Sequence, residues 1–405
     1  MAKNSRTEYF DQDISKAERQ LLEFLRGALT GENVQVQGKD VDWEELCRLA
    51  GNHCVLPLLY EVLAGNPVVP SVQQQVATAA AKSAVQQSYR ILFLCKYLIE
   101  SLERAGIPVV LLKGVGTASF YPIPEVRKTG DVDLLLLDEN FLTQAEMVLT
   151  QCGCSMSQEQ PALHHVVFRS QEGIEIELHT LLAEPFDNGK INQYLRERVV
   201  DCQQNVVRAN CMGVLLPILD TGYHAYELLL HMLQHFLRSG FGLKLLCDWV
   251  VFWNRDVSLE EQEKYLTLVQ ESGLKGFSDM VTLFCCTYLG LDREKIEWMN
   301  IIGNYDVGGF GREILEAEEF GKSAKDRMVT MRGAKFGDYV REFHHQMCLN
   351  FPRGSRYIPC WPVLWVVTLV RFLHNNRKIR HVSARSILKK AGQRSRVMEQ
   401  IHLWK

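Results

Sequence analysis

The sequence predicts an α+β protein, mostly helical, in which a small mixed β-sheet with its own helices sits between N- and C-terminal helical regions. Three observations carry that prediction. Ser71–Arg104 is one long stretch rich in Ala, Gln and Leu, with apolar residues at helical spacing. Ile107–Leu182 breaks into short apolar or alternating runs punctuated by Gly and Pro, as strands and turns do. Beyond Pro185 the pattern is helical again, most plainly at Tyr223–Leu237 (YHAYELLLHMLQHFL). The domain reading that follows is 1–105, 106–185 and 186–405, the last ending in a basic tail.

In the first region Leu21, Leu22, Phe24, Leu25 and Leu29 recur at helical intervals. A second helix starts near Trp43, with Asp42 as N-cap and Glu45 three residues on. Pro67–Pro70 breaks the chain before Ser71–Arg104, whose role is to pack on the sheet. Gly106-Ile107-Pro108 then leads into an apolar strand, Val109–Leu112, that ends in a turn, Lys113-Gly114-Val115-Gly116. Tyr121-Pro122-Ile123-Pro124 stiffens the connection to Arg127 and Lys128. A strand opening Asp131-Val132-Asp133 follows, and Asp138–Cys152 reads as a helix returning across the sheet. His164–Arg169 and Ile174–His179 form a hairpin through Ser170–Gly173. Val214–Leu219 is a short apolar run, and Gly303–Gly311 a Gly-rich link or lid that lacks the Lys-Ser/Thr of a P-loop. Phe320–Arg341, with its mixed charges, reads as solvated.

Composition narrows the class. A chain of 405 residues with 47% apolar content can bury real cores. A net charge of −3 gives no general attraction to nucleic acid or anionic membrane. Met1–Gln12 is polar and lacks the apolar stretch of a signal peptide. The twelve cysteines include no C-x-x-C pair, and Cys152/Cys154 and Cys285/Cys286 lack the partners of a zinc framework. Reduced thiols in a bacterial-type cytoplasm are the expectation. Tyr357–Val370 has fourteen uncharged residues, short of the about twenty a spanning helix needs. Arg371–Lys405 then carries ten Lys/Arg against one acid, Glu399. Peripheral contact with an anionic membrane is one reading of this segment, and a grip on RNA is allowed by its charge. A buried core helix followed by a basic surface helix is simpler.

The chemistry concentrates in Leu111–Leu137. Strand side chains alternate, so Asp131 and Asp133 share a face while Val132 and Leu134 point into a core. Two ionised carboxylates about 6–7 Å apart along a strand repel, and a divalent cation such as Mg²⁺ relieves that repulsion. As a strand-end carboxylate, Asp133 is expected to be exposed and to add little to stability. The Lys113–Gly116 turn offers close backbone approach and a point charge to a phosphate, although it matches neither the Rossmann nor the Walker spacing. Glu175, Glu177 and His179 share one strand face, a third source of carboxylate. On the Tyr223–Leu237 helix, His224, His231 and His235 lie near one face, but Met232 stands where the zinc-protease motif needs Glu.

A strand, a Lys-Gly turn, a helix, an arginine, Gly-Asp-x-Asp-Leu-Leu, and a strand ending Ile-Glu-Leu-His together resemble the nucleotidyltransferase superfamily built on a polymerase-β-like palm. Within it, the chain is most similar to the group described as uncharacterised nucleotidyltransferase family proteins. The resemblance runs from about Ile107 to Leu182 and includes the helical flanks. It implies a palm at 106–185, Mg²⁺ or Mn²⁺ held by Asp131, Asp133 and Glu177, with Glu175 in reserve as third acid, and a nucleoside triphosphate as donor. Lys113, Gly114 and Gly116 are the implied phosphate contacts. Arg127 either meets the triphosphate or second substrate, or holds the aspartates by a salt bridge. By analogy His179, His231, His235, Lys244 and Asp248 face the cleft, or else the helical ones are satisfied within a helix–helix contact. The turn departs from the usual Gly-Gly or Gly-Ser, and its gap to Asp131 is longer.

The implied reaction moves a nucleoside monophosphate to a hydroxyl-bearing acceptor and releases pyrophosphate. Sugar, small molecule, peptide, tRNA and protein acceptors all remain open. A non-catalytic nucleotide- or partner-binding module and a toxin-like enzyme acting on tRNA or protein are the rival readings.

Overall fold

The computed structural model describes residues 14–32, 41–157, 165–186, 188–238, 240–298, 305–318, 357–378 and 397–403, with isolated positions between 340 and 351. Its centre is a seven-stranded mixed sheet in the order β3-β4-β5-β2-β1-β7-β6. The strands are β1 (Val109–Leu112), β2 (Asp131–Leu136), β3 (Ser155–Met156), β4 (His165–Arg169), β5 (Glu175–His179), β6 (Val206–Cys211) and β7 (Val214–Leu219). β1 runs antiparallel to β2 and parallel to β7, and β2 runs parallel to β5. The β4–β5 hairpin is the one the alternating sequence predicts, although His164 lies outside the described residues.

Helices form where the periodicity calls for them. α1 (Lys16–Thr30) begins with a capping box: Glu18 N–H donates to Ser15 Oγ at 3.2 Å, and Ser15 N–H donates to the Glu18 carboxylate at 2.6 Å. α2 (Trp43–Asn52) is capped by Asp42, which accepts from Glu45 N–H at 3.0 Å. α3 (Ser71–Arg104) is a single helix of 34 residues. α4 (Gly114–Ala118) is a short turn of helix after β1, and α5 (Leu142–Gln151) follows β2. α6 (Gly189–Cys202) leads to β6, and α7 (Thr221–Leu237) and α8 (Leu243–Trp253) follow β7. α9 (Leu259–Glu271), α10 (Lys275–Phe284), α11 (Val307–Ala317) and α12 (Trp361–Lys378) complete the labelled helices.

Alternation along the strands divides the interior in two. Val109, Leu111, Val132, Leu134 and Leu136 face α3 and α5, meeting Leu92, Leu98, Leu102, Ala145 and Leu149. Val110, Leu112 and Leu135 face the other way and join a larger core built from α7, α8 and helices of both flanks. Asp131 and Asp133 belong to this second face by register, so the sheet presents its acids toward α7 rather than toward α3.

Several expectations change. The sheet does not stop at residue 185, since β6 and β7 pair with each other and β7 extends it from β1. The first 105 residues also divide: α3 packs on the sheet, while α1 and α2 share the larger core with α8 and its neighbours. Val307–Gly311 is the opening of α11 rather than a lid, its Gly309 N–H capped by Asp306 at 3.0 Å. The Tyr357–Val370 segment is not a buried core helix. Tyr357, Ile358, Val363, Val366, Leu369 and Val370 are all exposed. No helix among the described residues is long and apolar enough to cross a membrane. The Phe320–Arg341 stretch, Val340 apart, and most of the basic tail lie outside the described residues.

The larger core is anchored by an aromatic group in which Trp249, Trp253, Tyr265 and Trp298 meet edge to face or tilted. Trp249 is fully buried and donates its indole N–H to Thr282 Oγ1 at 3.0 Å. Trp249→Ala is expected to cost about 3–5 kcal/mol, read as a lower midpoint in urea denaturation.

Candidate active site

β1 and β2 are antiparallel neighbours, with Leu112 opposite Asp133. β5 lies on the other side of β2, in parallel register with Glu175 beside Asp131 and Glu177 beside Asp133. The hydrogen-bonded ladder therefore brings together acids that are more than forty residues apart in the chain. Asp131 stands at the open end of its strand and is exposed, whereas Asp133, two residues further in, is only 2% exposed. That corrects the expectation of an exposed Asp133.

A buried carboxylate needs partners, and two are present. Lys113 Nζ lies 3.1 Å from Asp133 Oδ1, and His179 Nε2 lies 3.0 Å from the same oxygen. His179 Nε2 is also 3.1 Å from Glu177 Oε2, so one imidazole edge bridges both acids. Burial alone would raise the Asp133 pKa, but Lys113 and the His179 hydrogen bond hold it well below the usual carboxylate range. Burial would lower the His179 pKa, and its bonds to Asp133 and Glu177 reverse that and raise it. For Glu177 burial acts upward, and the His179 hydrogen bond brings the net shift down. Asp131 goes the other way: the charge of Asp133, then the setting of its carboxyl group into the cleft wall although the residue as a whole is exposed, raises it to about 6.

Lys113 is held in a costly way. Its φ is +40° and its side chain must reach both Asp133 and His231 Nδ1, the latter at 3.1 Å. A non-glycine residue in this region carries strain, tolerated where surrounding contacts over-determine it. Gly114, also at positive φ, continues the turn, and its carbonyl accepts from Arg127 Nη1 at 3.2 Å. Gly116 has a different job from the expected phosphate contact. A Cβ there would come within 3.3 Å of Ile218 Cγ2, so the glycine lets α4 lie close on β7.

Arg127 resolves differently from both expectations. It makes a two-pronged pair with Asp248, Nε to Oδ1 and Nη2 to Oδ2 each at 2.7 Å, and Tyr121 O–H donates to Asp248 Oδ1 at 2.7 Å. The salt bridge exists, but its partner is on α8 rather than in the aspartate pair. All three groups are buried.

These elements enclose a cleft of about 340 Å³. The sheet side contributes Lys113, Gly114, Asp131, Asp133, Glu177 and His179, and the helical side His231, His235, Lys244 and Asp248, with Arg127 between them. Glu175 is outside this lining and instead accepts from Arg169 Nη2 at 3.0 Å. His224 is core: it meets Thr117 Oγ1 at 3.0 Å, stacks near Phe120 and Phe252, and burial pushes it down to about 3. Burial and the Lys113 charge also keep His231 well below the ordinary imidazole range, and burial brings His235 down to about 4.

Two residues that the motifs did not single out belong to this neighbourhood. His165, across the hairpin from His179, lines the cleft. Glu227, one helical turn before His231, is 2% exposed, and its Oε2 has no hydrogen-bond partner among the described residues. Burial raises it to about 7, with Lys113 acting in the opposite direction. The repeat of Glu227, His231 and His235 at intervals of four was a readable signal for one polar stripe on α7.

The buried charges can be probed by removing them singly. Arg127→Ala leaves a buried, unpaired Asp248 and is expected to cost about 3–5 kcal/mol in chemical denaturation, whereas the double change to leucine costs much less. Glu227 binds its proton more tightly when folded, so its stabilising contribution is complete below pH 4.5 and is lost as pH rises through about 7. Glu227→Gln lacks that loss. Relative to wild type, the variant should gain about 3 kcal/mol between pH 4.5 and 8 in denaturation midpoints taken across pH.

Comparison with known proteins gives this site a family. A search of curated proteins finds no match. Among solved structures, the lincosamide antibiotic adenylyltransferase LnuA, bound to lincomycin, aligns at 15% identity over 34% of this chain and 83% of its own, with a TM-score of 0.24. An antigenic nucleotidyltransferase-like protein from Paracoccidioides brasiliensis aligns at 17% identity over 49% of this chain and 92% of its own, with a TM-score of 0.29. The model of the family described as uncharacterised nucleotidyltransferase matches residues 39–290, more than half of the chain and the whole of the sheet and its cleft, and the protein belongs to that family.

Proposed function

We propose that the protein transfers a nucleoside monophosphate from a nucleoside triphosphate to a hydroxyl-bearing acceptor, releasing pyrophosphate, with Mg²⁺ or Mn²⁺ bound at Asp131, Asp133 and Glu177. The single observation that carries this reading is the Asp133–Glu177 register across β2 and β5, with Asp131 on the same face at the strand's open end. Three carboxylates opening into one cleft suit a hard divalent cation, and the raised Asp131 pKa expresses the charge such a cation would offset. Glu177 is preferred to Glu175 as third acid because it lines the cleft while Glu175 is engaged with Arg169.

The bound metal would supply charge neutralisation for the triphosphate and a lowered pKa for the acceptor hydroxyl. The chain's own groups do the rest. Lys113, Lys128, Arg238 and Lys244 line the cleft and add positive charge on the side where phosphate oxygens would lie. The Gly114 backbone stands at the same wall, its turn fixed by Arg127. Arg127 is a positioning residue in this scheme, since its guanidinium is committed to Asp248 and to the Gly114 carbonyl. A neighbouring hollow of about 650 Å³, lined by Leu56, Pro57, Ala80, Gln87 and Arg90, shares Lys128 and Thr129 with the cleft and is the space we propose for the acceptor.

Asp131→Asn is the better test than any change at Asp133, because Asp133 is buried and paired with Lys113. Titrating each nucleoside triphosphate with Mg²⁺ or Mn²⁺ into wild type should give metal-dependent binding of at least one nucleotide. Asp131→Asn should bind it at least about tenfold more weakly with a melting temperature close to wild type, a change of about 1.4 kcal/mol in binding. Equal binding by the two proteins would remove Asp131 from the site. Metal-dependent binding without turnover on any acceptor would favour a binding module.

A further inference from the structure

We propose that His165, Glu177 and His179 form a mixed nitrogen–oxygen cation site that takes a first-row transition-metal ion such as Mn²⁺ or Co²⁺ in preference to Mg²⁺. The sheet register builds the trio. His165 and His179 are directly opposed across the antiparallel β4–β5 pair, and Glu177 is two residues before His179 on the same strand face. One donor atom from each residue lies within 4.8 Å of the other two. His165 Nδ1 is 3.8 Å and His179 Nε2 is 3.1 Å from the same Glu177 oxygen, and the two rings meet edge to face at 5.2 Å. With bonds of about 2.1 Å, ligands at right angles on an octahedral ion are about 3.0 Å apart and opposed ligands about 4.2 Å. Both nitrogen–oxygen separations fall within that span, and the nitrogen–nitrogen pair, within 4.8 Å, needs to close by at most about 0.6 Å to meet it.

The donor set decides the class of ion. Mg²⁺ favours oxygen ligands and retains much of its water, whereas first-row transition-metal ions accept imidazole nitrogen more readily, Co²⁺ more strongly than Mn²⁺, and two histidines with one carboxylate leave open positions on such an ion. The aspartate pair offers oxygen only, and Glu177, which meets the histidines through Oε2 and has a second carboxylate oxygen, borders both halves of the cleft, so the two halves differ in selectivity. They are also linked. His179 Nε2 now bridges Asp133 and Glu177, and coordination through that nitrogen would withdraw it from Asp133, leaving Lys113 as the residual partner there. Half-buried His165 lines the cleft, which gives the ion an entry path.

The test uses the full chain without nucleotide. MgCl₂, MnCl₂ and CoCl₂ are titrated calorimetrically into wild type, His165→Gln and Asp131→Asn, and the Mn²⁺-loaded proteins are measured by pulsed electron paramagnetic resonance for ¹⁴N coupling. Wild type should bind Mn²⁺ and Co²⁺ at least about tenfold more tightly than Mg²⁺, about 1.4 kcal/mol. His165→Gln should lose that preference while keeping its Mg²⁺ affinity, and Asp131→Asn should keep the preference. Nitrogen coupling should appear in wild type and weaken in His165→Gln. Equal Mn²⁺ and Co²⁺ affinities in wild type and His165→Gln would overturn the assignment, as would a wild-type spectrum without nitrogen coupling. The wild-type spectrum keeps the test decisive if the variant does not fold. Since no nucleotide is present, failure here leaves the nucleotidyl-transfer reading standing, and the reverse also holds.

Discussion

The burial of the Asp133 carboxylate is the constraint on which the rest of the cleft depends. A charge at 2% exposure cannot be left to solvent, so the fold must bring cations to it. Lys113 comes from the end of the adjacent strand and accepts a strained backbone to do so. His179 comes from β5, two residues beyond the position paired with Asp133, and ties Glu177 into the same group. The result is a set of acids whose mutual repulsion is already partly offset from within. Only Asp131, at the open strand end, retains the raised pKa that two crowded carboxylates produce.

A second buried charge pair fixes the walls of the cleft relative to each other. Arg127 and Tyr121 come from the link between β1 and β2, and Asp248 comes from α8. Through the Gly114 carbonyl the same guanidinium also sets the turn that carries Lys113. Such a pair contributes little net stability compared with apolar packing, yet breaking it is expensive, which suits a brace that defines one geometry. The α7 stripe of Glu227, His231 and His235 closes the cleft from above. There burial holds the two histidines below their ordinary range and the glutamate above its own, so this wall carries less charge than its composition suggests.

Much of the fold was legible in local signals. Asp42 as a cap, the unbroken Ser71–Arg104 helix, the apolar Val109–Leu112 strand and the β4–β5 alternation all appear where their patterns point. Those signals are short-range, carried by capping chemistry and by periods of 3.6 and 2 residues. The Val214–Leu219 run was equally visible, but its place in the sheet was not, because besides the adjacent β6 it pairs with β1, a strand about a hundred residues earlier. Exposure misled in both directions: Asp133 is interior, and the apolar face of Tyr357–Val370 is not. A residue's burial depends on what packs over it, and periodicity does not carry that information.

The sequence by itself determined the chemical inventory: a carboxylate pair at alternate strand positions, acids and a histidine on one face of a second strand, a lysine at a turn, and histidines at helical intervals. The alternation of strand side chains makes those same-face relations a property of order along the chain. Only the tertiary structure decided which acids meet, which cations serve them and which residues stand aside. Register pairing put Glu177 rather than Glu175 beside Asp133, long-range packing gave Arg127 to Asp248, and close approach to β7 claimed Gly116. Each of those outcomes is set by contacts between segments tens to more than a hundred residues apart, where pattern along a single strand or helix has no reach.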